Sequence, residues 1–237
     1  MEIKSSKKKQ EMKKDPVMDS LNRAVEAVTE NSKVALTVVI AVVVVIGGIM
    51  AYSAFSNSSL KKAQEEFGVA MVAYETGVSN PNGSQQNIEK AVQGFKAVID
   101  HHKGSSQAIY SAYMLGHLFL ESERYDEAIN WFNLAVSKNQ HCGFVGAAAL
   151  EGLAASYEGK NSNDQALVFL RKALDDKRLD YRKNALQWKI ALLSNGLNKT
   201  ADAEAACRAI LADTTQSAAD YKQKAENLLA QIQVVKQ

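Results

Sequence analysis

The feature that most constrains the fold is an internal repeat of 37 or 38 residues. Four alanines mark this repeat, at spacings of 37, 38 and 37: Ala91, Ala128, Ala166 and Ala203. A side chain suited to packing follows each alanine after four positions: Phe95, Phe132, Leu170 and Cys207. Three positions further on come Val98, Ala135, Ala173 and Ile210. A repeat of this length is one supersecondary unit that cannot bury its apolar face alone, so successive units must stack.

Small residues also recur twelve positions before three of these alanines, at Gly116, Ala154 and Ala191. Each follows an apolar residue, namely Leu115, Leu153 and Ile190. Because a small side chain on each helix lets two antiparallel helices approach closely, the pattern predicts a helical hairpin in each repeat. Phe119 and Tyr157 fill the next packing position, where the last repeat has Ser194 instead.

The two ends of the repeat region depart from this pattern. Phe67, Gly68 and Met71 are typical of the first helix of a first hairpin, but Gly68 precedes Ala91 by 23 residues instead of twelve. We assign the extra residues to a loop at the polar stretch 79–84. After the last repeat, the sequence predicts a capping helix from about Ser217 to Val234. Its apolar positions are Ala225, Leu228, Leu229 and Ile232.

The segment from Tyr113 to Ala135 resembles the tetratricopeptide repeat. The residues in register are Leu115-Gly116, Phe119, Tyr125, Ala128, Phe132 and Ala135. The resemblance implies an all-α fold for residues 56–237, with a solenoid of about four hairpins and a C-terminal capping helix. The tetratricopeptide period is 34 residues, so the surplus residues lie between hairpins, as at His141-Cys142-Gly143.

An uncharged apolar run precedes the repeats, at residues 34–55. As a helix, these 22 residues would rise roughly 33 Å, which matches a bilayer core of about 30 Å. Tyr52 and Phe55 stand near its C-terminal end, where aromatic residues meet the membrane surface. We therefore predict a single transmembrane helix embedded in the lipid bilayer. A cleaved signal peptide is disfavoured, because the head before the run is 33 residues long.

The head, residues 1–33, carries eight Lys and Arg residues, whereas Lys61 and Lys62 are the only ones between the run and Lys90. Since positive charge resists translocation, we expect the head in the cytoplasm and the repeat domain outside the inner membrane, which means the periplasm in a two-membrane bacterium. Apolar residues at helical spacing between Val17 and Val28 leave two alternatives open. They form either an amphipathic helix on the inner leaflet or a cytoplasmic extension of the transmembrane helix.

This order of a charged head, one transmembrane helix and four repeat hairpins resembles the YfgM-like bacterial family of ancillary Sec translocon subunits. Residues 25–28 (VEAV) and 30–33 (ENSK), directly before the apolar run, look like that family's membrane entry. The resemblance implies a scaffold of the bacterial inner membrane whose partners are translocon components, exported polypeptides and periplasmic chaperones. The alternative is a structural or assembly subunit of a cell-envelope complex.

The sequence contains no phosphate-binding loop, nucleophile elbow, HExxH or EF-hand motif. We therefore expect no enzyme activity, no catalytic residues, no cofactor and no small-molecule substrate. His101 and His102 are adjacent and should diverge on a helix, so we expect no metal site there. Cys142 and Cys207 are predicted to be small packing residues. After residue 55, twenty Lys and Arg residues balance twenty Asp and Glu residues, which argues against nucleic acid as a partner.

Binding is expected on the concave face, which the first helices of successive hairpins line in such arrays. The matching positions are Tyr113 and His117, then Glu151 and Ala155, then Trp188 and Leu192, with Tyr110 one turn earlier. These positions lack the lysines, arginines and asparagines that grip C-terminal carboxylates in other tetratricopeptide domains. An aromatic and apolar groove would suit apolar protein segments. Trp188 alternatively packs inside the solenoid.

Overall fold

In the computed structural model, residues 32–79, 84–137 and 143–235 are described, and their regular secondary structure is entirely helical. The α-helices are α1 (Ser32–Ser79), α2 (Ser84–His101), α3 (Ser106–Glu121), α4 (Tyr125–Ser137), α5 (Gly143–Gly159), α6 (Asn163–Leu174), α7 (Lys183–Gly196), α8 (Thr200–Ala212) and α9 (Ala219–Val235). Short 3-10 helices at Lys177–Arg182 and Gln216–Ala218 precede α7 and α9. The predictions for residues 17–28, for Cys142 and for most of the head fall outside the described residues.

The chain divides into two compact units, Met1–Ser58 and Ser59–Gln237. In the first unit, the apolar run lies within α1, and the side chains from Ile40 to Met50 are exposed. By length and composition, one helix in the described part of the chain could cross a membrane, over the segment Ile40–Ser79. A helix satisfies the backbone N–H and C=O groups of such a run internally, which an apolar environment requires.

The second unit is a series of antiparallel hairpins. The part of α1 after Ser58 pairs with α2, α3 with α4, α5 with α6, and α7 with α8, while α9 packs on the last hairpin. The four alanines that mark the repeat are fully buried, as are the residues four and seven positions after them. The predicted repeat register is therefore confirmed. Cys207 is among these buried residues, and burial raises the pKa of its thiol.

Phe132 explains why glycine occurs in the central helices. A Cβ atom added at Gly116 would lie 2.6 Å from the ring of Phe132, and one added at Gly152 would lie 2.4 Å from it. The ring therefore lies against bare backbone on α3, in its own hairpin, and on α5, in the next one. Interiors of this density leave no space for an extra methyl group at either glycine.

The turns inside the second, third and fourth hairpins also repeat. Each contains one residue in the left-handed region, at Glu123, Asn161 and Asn198. The next residue then donates its backbone N–H to a carbonyl five positions earlier, at 2.8 Å: Arg124 to Phe119, Ser162 to Tyr157, and Lys199 to Ser194. This is the closing bond of a Schellman motif, which satisfies carbonyls at the helix end and fixes where the second helix starts.

The first hairpin corrects two expectations. Gly68 is exposed and has no neighbour within 4 Å of an added Cβ, whereas Ala70 is 1% exposed and packs against Gly94. The extra residues before Ala91 do not form a long loop, because α1 continues to Ser79 and α2 begins at Ser84. Gly77 in this extension packs against Ile88, so the additional turns of helix are held by the hairpin itself.

The capping helix is confirmed, as α9, with Ala225, Leu228 and Ile232 buried against the last hairpin. Ser194 is fully buried where other repeats have an aromatic ring, and its hydroxyl has no hydrogen-bond partner among the described residues.

Candidate functional site

A cavity of about 330 Å³ opens between α3, α5, the 3-10 helix before α7 and α7 itself. We call it the concave groove. Its lining residues are Tyr113, His117, Leu120, Phe144, Ala148, Glu151, Gly152, Ala155, Tyr181, Arg182 and Lys189. Four of the positions expected at the concave face, Tyr113, His117, Glu151 and Ala155, are thus brought together. Its volume is that of a small binding pocket, large enough for side chains of a partner.

The α3 wall of the groove is aromatic and continuous with the core. The ring centroids of Tyr113 and His117 lie 4.5 Å apart in an edge-to-face arrangement. Both rings also meet Phe132 edge to face, at 6.0 Å and 5.2 Å. Tyr113 and His117 are therefore held by the same buried ring that locks α3 against α5.

This wall is uncharged at neutral pH. Burial lowers the pKa of His117, and the Glu121 carboxylate only partly opposes this. Burial also raises the pKa of Tyr113, with a further contribution from Glu151. Desolvation disfavours the charged form of each group, so an imidazole and a phenol line this side of the groove.

The opposite wall carries charge. Glu151 on α5 has a side chain that is only 13% exposed, and Arg182 Nε lies 3.0 Å from its Oε1 oxygen. Although this separation makes an ion pair, the buried Arg182 Nε lacks the geometry of a hydrogen bond. Lys189 Nζ approaches the second oxygen, Oε2, at 3.9 Å. The positions compared between repeats carry no lysine or arginine, as the sequence shows, but Arg182 and Lys189 lie outside those positions and add a charged wall to the groove.

Two exposed rings stand at the mouth of the groove. Phe144 in the first turn of α5 and Tyr181 in the 3-10 helix stack at a centroid distance of 6.0 Å and an interplanar angle of 25°. They are 52% and 61% exposed. Sequence reasoning missed both, since Phe144 lies before the aligned helix positions and Tyr181 lies between repeats.

The 3-10 helix that carries Tyr181 and Arg182 is firmly placed. The Asp176 carboxylate accepts the backbone N–H of Arg178 at 3.0 Å, which caps the start of this short helix. The hydrogen bond from the Arg178 side chain lowers the pKa of Asp176, so the cap stays ionised. Leu179 is 1% exposed and anchors the segment in the core. This 3-10 helix lies between two hairpins, where the repeat exceeds the 34-residue period, and it forms one wall of the groove.

Three of the predicted residues do not line this cavity. Tyr110 is 43% exposed and meets Phe67 of α1 edge to face at 6.3 Å. Trp188 is half-buried and packs on the core of the C-terminal hairpins, which favours the packing alternative for this residue. Leu192 is exposed on α7.

The adjacent histidines do not diverge as expected. His101 Nδ1 lies 3.1 Å from Glu66 Oε2, and His102 Nε2 lies 3.4 Å from the same oxygen. Both rings reach the same Glu66 oxygen at the end of α2, where His101 is the last helical residue. In the described ranges, no group of three or more His, Cys, Asp or Glu side chains is arranged to hold a metal ion.

The comparisons with known proteins agree with this architecture. The sequence profile of the tetratricopeptide repeat-like domain matches residues 29–230. The chain belongs to this family. Tetratricopeptide repeat-like domains are typically non-catalytic scaffolds for protein–protein interaction. The matched region begins before the apolar run and ends within α9, so it includes the apolar helix as well as every hairpin. A search of curated proteins found no match.

Proposed function

We propose that this tetratricopeptide repeat-like chain is a single-pass membrane protein that binds segments of other proteins in the concave groove. The observation that carries the proposal is the groove itself. It combines a neutral aromatic wall, a charged wall and two exposed rings within one cavity. Concave sites with a few placed polar groups among apolar ones are the usual form of a binding site.

The membrane part of the proposal rests on α1. The run at residues 34–55 is uncharged, and its described side chains are exposed within the chain. Burying such a surface in lipid is favourable, whereas exposing it to water is not. The excess of lysine in the head supports a cytoplasmic N-terminus, with the repeat domain on the outer face of the inner membrane.

The partners proposed are translocon components, exported polypeptides and periplasmic chaperones, as the resemblance to the YfgM-like family implies. Exported chains emerge with apolar segments still exposed, and a groove with aromatic rings at its mouth suits such segments. One family model matches both the apolar helix and the repeats, which supports the view that the apolar helix is a regular part of this kind of repeat protein.

Crosslinking in intact membranes tests the function. A photo-crosslinking residue at Tyr181, in the groove, is compared with one at Val168 on α6, which is outside the groove and 50% exposed. We expect adducts with translocon components, exported chains or chaperones from position 181 and not from position 168. Equal adducts from both positions would remove the groove from the proposal. One stoichiometric neighbour in place of several would instead favour a structural subunit of an envelope complex.

Thiol labelling tests the topology. In a Cys142→Ser background, Ser6→Cys and Gln165→Cys are exposed to a membrane-impermeant thiol reagent, with the outer membrane opened where one is present. We expect position 165 to react and position 6 to be protected until the membrane is lysed, because the lysine-rich head resists translocation. The reverse pattern would contradict both the orientation and the periplasmic partners.

A further inference from the structure

The concave groove holds more positive than negative charge. Among the described residues that line it, Glu151 is the one carboxylate, and Arg182 and Lys189 share it. Each cation approaches a different carboxylate oxygen, so both oxygens of Glu151 already face a cation. A guanidinium carries five N–H donors and an ammonium carries three. Arg182 turns its buried Nε toward Glu151, but the side chains of Arg182 and Lys189 remain 42% and 44% exposed, so other N–H groups of both can reach a ligand.

These donors are also placed in advance. Arg182 ends a 3-10 helix that Asp176 caps and Leu179 anchors, and its side chain is held beside a carboxylate that is largely shielded from water. Binding of a ligand carboxylate would therefore require little further ordering of the Arg182 side chain. The attraction between the two charges would also be screened less than on an open surface.

Apolar surface lies next to the cations. Phe144 and Tyr181 expose their rings at the mouth, while Ala148 and Ala155 line the cavity with small side chains. Two cations that Glu151 partly neutralises suit one carboxylate better than a polyanion, whose recognition needs a row of basic groups. The cations and the exposed rings together are complementary to a ligand that has an acidic side chain beside an apolar one.

We infer that the concave groove takes an extended peptide segment in which an aspartate or glutamate side chain pairs with Arg182 and Lys189 while a neighbouring aromatic or aliphatic side chain lies against Phe144 and Tyr181. This inference rests on the proposed function and names the class of segment that the groove selects. The acid belongs to a side chain within the segment and not to a chain terminus, because the groove is open between four helical elements and a chain can continue past it.

The test is binding of labelled nine-residue peptides to the full chain in detergent micelles, followed by fluorescence anisotropy. The peptides have a glycine–serine background, acetylated and amidated ends, and a central pair that is Glu-Phe, Gln-Phe, Lys-Phe or Glu-Ala. We expect Glu-Phe to bind roughly tenfold more tightly than Gln-Phe, and Lys-Phe to bind most weakly. Glu-Ala should also bind more weakly than Glu-Phe, since it lacks the ring that contacts Phe144 and Tyr181.

Two variants of the chain localise the effect. Lys189→Glu should cancel or invert the preference for Glu-Phe over Lys-Phe, because it places two carboxylates beside Arg182. Lys177→Glu is the matched control, since Lys177 is an exposed lysine on the 3-10 helix that carries Arg182 and does not line the groove. It should leave the preference unchanged. Equal binding of Glu-Phe and Gln-Phe, or the same preference in Lys189→Glu, would overturn the inference.

A third variant separates this inference from the proposed function. Ala155→Phe fills the base of the groove, and Phe144→Ser removes a ring at its mouth should the first variant fold poorly. If these variants abolish binding of all four peptides and yet the wild type does not distinguish them by charge, the groove binds protein segments and only the acidic preference is wrong. If binding occurs but survives both variants, or if no peptide binds, the groove proposal fails together with the inference. Binding of Gln-Phe only when its C-terminus is a free carboxylate would assign the cations to chain ends and overturn the inference.

Discussion

The first and second hairpins of the repeat domain bring their helices together with opposite arrangements of small residues. In the second hairpin, the glycine is on the first helix, where Gly116 lies against the ring of Phe132. In the first hairpin, the close approach beside the buried Ala70 uses a glycine on the second helix, Gly94. Gly68, which sequence spacing equates with Gly116, has open space around it. The repeat thus requires a close approach of two helices, but it does not fix which helix provides the small residue.

The two hairpins also differ in the kind of contact that joins them. The second is held by the interlocking of Phe132 with Gly116 and, in the next hairpin, with Gly152. The first has the rings of Phe67 and Phe95 with centroids 5.8 Å apart, and its helices are joined in addition by the contacts of His101 and His102 with Glu66. Steric packing does not depend on pH, whereas a contact between a carboxylate and imidazoles does.

The largest expected effect comes from adding one methyl group at a central glycine. Gly152→Ala places a Cβ atom 2.4 Å from Phe132, and the backbone at Gly116 also borders this ring, which limits how far the ring can shift. We expect a loss of about 1–3 kcal/mol in the free energy of unfolding, as for overpacking in other cores. The measurement is chemical denaturation of the full chain, followed by circular dichroism.

Gly68→Ala is the matched control in the first hairpin. An added Cβ meets nothing within 4 Å there, and alanine is the better helix former, so we expect a gain of roughly 0.5–1 kcal/mol. Opposite signs at the two glycines would confirm the difference between the hairpins. A loss of stability at Gly68 would contradict it and indicate that this face of α1 is covered.

A smaller effect is expected at Glu66. The hydrogen bond with His101 is the main reason that the pKa of Glu66 lies below its ordinary value of 4.5, with weaker contributions from His102. A carboxyl group with a lowered pKa stabilises the folded chain above its unfolded pKa, and this contribution disappears as the pH falls through the folded value. Glu66→Gln should therefore lower the melting temperature at pH 6, and this deficit should shrink toward zero at pH 3.

Glu65→Gln serves as the control for this pH dependence, because Glu65 is an exposed neighbour on the same helix. Its melting temperature should follow the wild type at both pH values. A deficit in Glu66→Gln that stays the same at pH 3 would show that the first hairpin does not depend on the ionised carboxylate.

Much of the fold follows from spacing alone. The positions of Ala91, Ala128, Ala166 and Ala203 locate the second helix of each hairpin, and the buried Leu115, Leu153 and Ile190 locate three of the first helices. The prediction that Gly68 is the small contact residue of the first helix failed, because the sequence does not distinguish a glycine in close contact from one in open space. Prediction also failed at His101 and His102, because their spacing does not reveal that Glu66 of the paired helix α1 lies within reach of both rings.

The candidate site was predicted only in part. Tyr113, His117 and Glu151 are repeat positions, so their shared face could be read from the tetratricopeptide pattern. Phe144, Tyr181 and Arg182 belong to the segments that exceed this pattern, and no spacing rule relates them to the groove. Lys189 was not predicted, because its neighbour Trp188 is the residue that aligns with the groove positions of the other repeats.

The sequence by itself determined an all-α repeat solenoid with a capping helix, preceded by an apolar helix long enough to cross a membrane, because periodicity and hydrophobicity are properties of the chain. Only the tertiary structure decided that the groove has a neutral wall and a cationic wall. Charge in a cavity depends on which side chains from different elements meet there. Arg182 and Lys189 share Glu151 because a 3-10 helix and α7 fold against α5, and their separation along the chain does not reveal that meeting.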